Sequence, residues 1–200
     1  MFIKKGAMFG LDARIALAIF GALSVISGAA LYSAIDDSKK TAFMVQLEEF
    51  SKAYTAYYLD VGHHVPVYEA NKDFLVGNRI VENIDSDTNW NGPYWPEGYG
   101  KNRNNKDGLG RVSFRGDYSA GFVQAIDTDW GDYAGSSFIG DCIISNCHIW
   151  AYVEVRDKNI NFAKDINNRI EKDDSASSGK VRVRYFGDNS YNIYYYVQPK

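Results

Sequence analysis

Residue types that commonly carry enzymatic chemistry are scarce in this chain of 200 residues. Its three histidines are His63, His64 and His148, which leaves little for general base catalysis. Adjacent residues point in different directions on a helix or a strand, so His63 and His64 predict no shared metal site. The sequence contains no Ser-His-Asp order, no phosphate-binding loop motif and no glycine-rich dinucleotide motif. We therefore expect a protein that is not an enzyme.

Basic charge is also in short supply, whereas a nucleic-acid-binding domain normally has a basic face. The formal net charge of the chain is −3. Because the first 35 residues contain three basic side chains and one acidic side chain, residues 36–200 carry a net charge of −5. We expect no nucleic-acid partner for a domain with this charge.

Cysteine occurs only twice, at Cys142 and Cys147, with four residues between the two. A zinc site needs more ligands nearby than His148 alone, and redox enzymes usually use cysteines separated by two residues. In a reducing cytosol the pair would be free or metal-bound, whereas outside the membrane it predicts a small disulfide loop. The compartment therefore decides between these alternatives.

Charged side chains are absent from residues 15–35, a run of 21 residues. As a helix this run is roughly 30 Å long, which matches the hydrocarbon core of a bilayer. Three basic side chains precede the run, and Asp36 and Asp37 follow it. The positive-inside rule then places the N-terminus in the cytoplasm and residues 36–200 outside the membrane, where disulfides form.

Two interpretations of this run are a secretory signal peptide and an uncleaved single-pass anchor. The apolar core of a signal peptide is about 7–15 residues long and ends in a small-x-small cleavage site, so the run is longer than expected. Neither interpretation explains Asp12, because a carboxylate at the edge of an apolar helix is costly without a partner.

Residues 4–35 resemble the N-terminus of type IV pilins and of type II secretion pseudopilins. Precursors in that family have a short basic leader, a small residue at the cleavage point and an acid as the fifth mature residue of an apolar helix. Placing Asp12 at the acidic position puts the cleavage between Ala7 and Met8. The resemblance implies that a prepilin peptidase removes residues 1–7 as a leader, and that Met8 is then N-methylated.

The resemblance also implies how the helix acts in assembly. The α-amino group of Met8 in a neighbouring subunit is a cation at the depth of Asp12, so their pairing sets the register between subunits. Gly21 occupies a position that is often glycine in the family. The chain departs from the usual pattern in having Ala7 before the cleavage point, an Asp in place of Glu, and Arg14, which could neutralise Asp12 within one chain.

A second helical pattern follows the apolar run without a glycine or proline between Asp36 and Val61. Its apolar residues recur at spacings of four and three and form one stripe, which consists of Phe43, Leu47, Phe50, Tyr54 and Tyr57. The stripe predicts a face that packs on a core, and Gly62 predicts the end of the helix. We therefore predict one helix over residues 8–61, whose part up to residue 35 lies in the membrane.

Alternating apolar residues and intervening turns predict strands over residues 111–115, 118–126, 148–155, 180–186 and 191–197. A helical period replaces the alternation over residues 158–172, and a short helix or strand is expected near residues 73–81. We predict an α+β, pilin-like fold with one long N-terminal helix, transmembrane in its first half, packed on an antiparallel sheet of four or five strands. Residues 36–200 then form one extracytoplasmic domain, which includes helix 36–61.

Acidic residues cluster at Asp127, Asp129 and Asp132, with Asp141 nearby. Calcium prefers several carboxylate and carbonyl oxygens, so this cluster is a possible calcium site. The spacing of an EF-hand loop is not met, and a solvated acidic turn is the favoured interpretation. No other cofactor is expected.

Two functions remain open. The first is a structural subunit that forms a helical filament with copies of itself and with assembly machinery, held in the inner membrane with a periplasmic domain before assembly. The filament itself would then be extracellular or periplasmic. The second is a membrane-tethered extracytoplasmic binding module that does not polymerise, motivated by a predicted aromatic surface at Trp90, Tyr94, Trp95 and Tyr99.

Overall fold

A computed structural model describes residues 6–99, 110–127, 130, 142, 146–156, 158–173, 175–187 and 189–200 of the chain, and describes side chains from Gly10 onward. The chain divides into two units, Met1–Ala42 and Phe43–Lys200. All described residues of the first unit belong to a helix, α1, which spans Gly6–Val61. The second unit contains the remainder of α1, a sheet and a second helix.

The α1 helix confirms the single unbroken helix predicted from residue 8 to residue 61. It ends at Gly62, whose N–H donates to the carbonyl oxygen of Tyr58 at 2.9 Å. The φ angle of Gly62 is +83°, a left-handed conformation that glycine adopts at little cost and that stops a helix. The predicted stripe from Phe43 to Tyr57 is buried in the core of the second unit.

Among the described residues, six strands form one antiparallel sheet. They are β1 (Phe74–Leu75), β2 (Val112–Phe114), β3 (Tyr118–Ile126), β4 (Cys147–Val155), β5 (Val181–Gly187) and β6 (Ser190–Pro199). The strand order is β1-β3-β4-β6-β5, and β2 pairs with β3 next to β1. The α+β fold with a long helix on an antiparallel sheet is therefore confirmed. The sheet exceeds the expected four or five strands because β1, with two residues, is too short to show an alternating pattern.

Aromatic packing joins the second part of α1 to one face of the sheet. The Phe50 ring stacks on Phe122 of β3 with centroids 4.5 Å apart and meets Trp95 edge-on at 4.8 Å. Phe43 meets Phe114 of β2 edge-on at 5.2 Å. Buried aromatic pairs of this kind contribute beyond their buried area, so α1 is an integral part of the core.

The second helix, α2, spans Asn161–Glu171 and confirms the helical period predicted over residues 158–172. Ala163 and Ile166 of its apolar face are fully buried against the same core. The helix ends at Lys172, which adopts a left-handed conformation with a φ angle of 63°.

The opposite face of the sheet has a smaller apolar cluster that the sequence analysis did not predict. Trp150, Tyr152 and Tyr194 are buried there, and Trp130 packs on Trp150 with centroids 4.8 Å apart. The Arg182 guanidinium lies 4.9 Å from the Trp130 ring centroid and 4.5 Å from that of Trp150. Cation–π contacts are attractive and become stronger when the cation is removed from water, as it is for Arg182, which is 4% exposed.

Candidate functional site

The first unit exposes apolar side chains along the whole described part of its helix. The exposed fraction of the side chain is 70% at Leu17, 70% at Phe20 and 73% at Val25. Successive residues lie about 100° apart around a helix, so exposed apolar residues at closely spaced positions cover all of its sides. A continuous apolar surface of this size requires a cover of lipid or of protein.

The α1 helix is long and apolar enough to cross a membrane, judged by its length and composition. Its most apolar window has a mean hydropathy of 2.1, and none of that window is buried within the chain. A buried core helix of a soluble protein can be equally apolar, but its side chains would be covered. The helix could therefore span a membrane, although an N-terminal signal sequence has the same length and composition.

Asp12 and Arg14 are the two described charged residues that precede the uncharged run of this helix. Both side chains are exposed, and within the described part of the chain Asp12 makes no hydrogen bond or ion pair. Residues two positions apart lie about 200° apart around a helix, so Asp12 and Arg14 point to nearly opposite sides. No ion pair between Asp12 and Arg14 is present in the described part of the chain.

Three glycines, Gly10, Gly21 and Gly28, lie at intervals along the same helix. A Cβ atom added to Gly10, Gly21 or Gly28 would meet no other atom of the chain within 4 Å. No packing within the chain therefore requires glycine there, and nothing tests the predicted assembly role of Gly21. Glycine in a helix lets a second helix approach closely, and this effect does not depend on contacts within one copy.

The predicted processing site lies at the start of α1. Ala7 and Met8 belong to the helical backbone, and their side chains are outside the described part of the chain. Leader cleavage between these two residues, and methylation of Met8, therefore stay predictions.

A disulfide bond joins Cys142 to Cys147, which confirms the predicted pairing. Cys147 is the first residue of β4, so the bond ties Cys142 to the start of a central strand. The chain-entropy model assigns roughly 2 kcal/mol to so short a loop.

Asp127 is the described member of the predicted acidic cluster, and its carboxylate is paired with the Arg182 guanidinium. Asp129, Asp132 and Asp141 lie outside the described residues, so the possible calcium site stays untested. Within the described residues no group of three or more potential metal ligands comes together.

The predicted aromatic surface, which consists of Trp90, Tyr94, Trp95 and Tyr99, is wrong for Trp95. Trp95 is 4% exposed, and its indole N–H donates to the carbonyl oxygen of Ser113 at 2.7 Å. Trp90 and Tyr94 are half-buried and pack against the same core. Only Tyr99 of this set is exposed. Tyr94 and Trp95 are covered because their rings pack against Tyr57 and Phe50 of α1.

The two adjacent histidines have separate hydrogen-bond partners. His63 Nε2 lies 3.1 Å from Asp87 Oδ1, and His64 Nδ1 lies 3.0 Å from the Tyr54 hydroxyl. Hydrogen bonds to the His64 carbonyl and to Asp87 raise the pKa of His63. Burial lowers the pKa of His64, and the charges of Lys200 and His63 add to this shift.

Comparisons of the chain with protein-family models, with curated proteins and with solved structures found no match.

Proposed function

We propose that this chain is a structural subunit, a pilin or pseudopilin, of a type IV filament system. Copies assemble through the apolar first part of α1, and the sheet domains lie on the outside of the filament. Before assembly, the same helix holds each copy in the inner membrane with the sheet domain in the periplasm.

One observation carries the proposal: an exposed apolar helix that also bears an acid, Asp12, shortly before its uncharged run, with no side-chain partner among the described residues. Lipid can cover the apolar side chains, but lipid leaves the carboxylate of Asp12 without a partner at considerable cost. Neighbouring copies can cover the apolar side chains and can also supply a cation. In the resemblance to pilins this cation is the α-amino group of Met8, freed by leader cleavage.

The continuity of α1 supports assembly over simple tethering. A plain anchor is usually joined to its domain by a flexible linker, whereas α1 runs unbroken from Gly6 to Val61. The first part of the helix would supply the apolar surface through which copies pack together. From Phe43 onward, the helix forms part of the core of the sheet domain.

A monomeric membrane-tethered binding module is the alternative. Exposed aromatic residues would favour it, but Trp95 and its neighbours instead pack into the core. This alternative shares the membrane helix but gives no role to Asp12.

Mass spectrometry of the protein extracted from membranes tests the proposed processing. The chain is expressed in cells that supply a prepilin peptidase and an assembly ATPase. We expect an N-terminus at Met8 with one additional methyl group. An N-terminus at Met1, or at any residue other than Met8, contradicts the leader assignment.

The filament fraction sheared from the same cells tests the role of the acid. We expect Asp12→Ala to lower the assembled fraction strongly, because a neighbour's cation loses its partner. Ser24→Ala is the matched control, since Ser24 lies on the same exposed helix and its hydroxyl bonds only to the Phe20 carbonyl of its own turn. Equal assembly of Asp12→Ala and the unaltered chain would contradict the register role.

A further inference from the structure

We propose that Arg14 of one copy is an assembly partner of Asp12 in the next copy. This inference rests on the proposed function and deepens it. It assigns a role to Arg14, and it adds a side-chain cation to the amine that the resemblance implies. The occupant of this helix face is a second copy of this chain, and the complementary charges of Asp12 and Arg14 identify it.

Both charges lie where an unpaired charge is unfavourable. Asp12 and Arg14 are flanked by the exposed apolar residues Leu11, Ile15 and Leu17, with exposed fractions of 63%, 51% and 70%. Packing of several such helices removes water from these positions, and an uncompensated charge there is then strongly destabilising. A bundle of this chain must therefore pair each Asp12 and each Arg14 with a group of opposite charge.

A single copy cannot provide this pairing. The two side chains leave the helix about 200° apart, so the acid lies on one side and the base on the nearly opposite side. The described part of the chain contains no ion pair between Asp12 and Arg14. Each copy thus presents one acidic side and one basic side at almost the same height.

The placement of the charges also selects the kind of assembly. If Asp12 of each copy contacts Arg14 of the next, every contact joins two different surfaces. Such a head-to-tail contact gives a ring or an open helix, and not a closed two-fold dimer. The two Cα atoms differ in height by about 3 Å along the axis, so each added copy is displaced in one direction along the bundle. Repeated displacement gives a helical filament.

Charge reversal tests the pairing in the full-length chain, with the sheared filament fraction as the measurement. Asp12→Arg places two cations together, and Arg14→Asp places two acids together. We expect each single reversal to lower the assembled fraction at least about tenfold, as is typical when a buried pair is broken. The double variant Asp12→Arg/Arg14→Asp restores complementary charges between residues 12 and 14 of neighbouring copies, and we expect it to assemble several-fold better than Asp12→Arg alone.

Two controls accompany these variants. Arg14→Lys keeps the cation and is expected to assemble to within a few-fold of the unaltered chain. Lys39→Asp reverses the charge of an exposed lysine on the same helix, beyond the uncharged run, and is expected to have little effect.

Pairing of Asp12 with the Met8 amine alone predicts a different result. Arg14→Asp would then assemble normally, and the double variant would fail as badly as Asp12→Arg. That result would overturn the inference and leave the proposed function intact. Normal assembly of Arg14→Asp is also expected if Arg14 only extends to lipid headgroups. Absence of filaments from the unaltered chain would overturn both proposals.

Cross-linking in membranes provides a measurement that does not depend on leader cleavage. Copies with Ala16→Cys, one helical turn from Asp12, and copies with Ala18→Cys, one turn from Arg14, keep both charges. The two kinds of copy, distinguished by tags, are expressed together and treated with a short bis-maleimide. We expect mixed dimers to exceed the dimers formed by Ala16→Cys copies alone. The native Cys142–Cys147 disulfide leaves no thiol in the chain to react. Equal yields of mixed and like dimers would contradict the head-to-tail contact.

Discussion

At the scale of single residues, His63 and His64 make stability depend on pH in opposite directions. The lowered pKa of His64 favours the neutral ring in the folded state. Its contribution is therefore present above its unfolded pKa of about 6.5 and is lost as the pH falls from there through the folded pKa. The raised pKa of His63 has the opposite effect, since its contribution is present below about 6.5 and is lost as the pH rises through the folded pKa.

Replacement of His64 by glutamine separates the two effects. The glutamine side chain can keep a hydrogen bond to the Tyr54 hydroxyl but does not titrate. We expect the unfolding temperature of His64→Gln in detergent to fall less than that of the unaltered chain between about pH 6.5 and pH 5. His63→Gln, the control at the neighbouring exposed residue, should fall at least as much as the unaltered chain. A steeper fall for His64→Gln would show that burial does not lower this pKa.

The sequence predicts poorly which side chains of the loops are buried. Composition indicates an aromatic, turn-rich segment around Trp95, but it does not tell which rings face the core. That choice depends on contacts with residues far along the chain, such as the Ser113 carbonyl that accepts from the indole of Trp95. The Cys142–Cys147 disulfide could be predicted because the two cysteines are close in sequence and the positive-inside rule places residues 36–200 where disulfides form.

At the scale of elements, the close packing of β3 against β4 can be tested on the sheet face that carries the smaller apolar cluster with Trp150 and Tyr152. A Cβ atom added to Gly121 would lie 2.9 Å from the Tyr152 ring of the neighbouring strand. Tyr152 is 1% exposed, so its ring has little room to move. We expect Gly121→Ala to lower the free energy of unfolding by about 1–3 kcal/mol through overpacking.

Chemical denaturation of the full chain in detergent measures this change. Ser119→Ala is the control, because Ser119 lies two residues earlier in β3 on the same face and is only half-buried. We expect Ser119→Ala to change the free energy of unfolding by less than about 0.5 kcal/mol. A Gly121→Ala variant as stable as the control would mean that the Tyr152 ring can be displaced freely.

Periodicity predicted most elements of the fold, and it failed where an element is very short or is buried on both faces. The stripe that begins at Phe43 and the helical period of α2 are visible because one face of each helix is apolar. In β4 both sets of alternating residues are apolar, with Ile149 and Ala151 on one face and Trp150 and Tyr152 on the other. Alternation alone does not show that both faces are covered, so the second cluster was missed.

At the scale of the whole molecule, the two units differ in what covers their apolar residues. The unit Phe43–Lys200 buries its apolar residues in its own core. The unit Met1–Ala42 buries none of the most apolar part of its helix. A chain that completes one hydrophobic core and leaves a second apolar surface uncovered requires lipid, other copies, or both in succession.

The central claim is that copies of this chain cover each other's apolar helices in a filament. Electron microscopy of the sheared surface fraction, with gold-labelled antibodies against the sheet domain, tests this claim most directly. We predict ordered filaments labelled along their whole length, which disappear in cells that express Asp12→Ala. Unlabelled filaments or no filaments, together with chains that remain monomeric on cross-linking in the membrane, would contradict it.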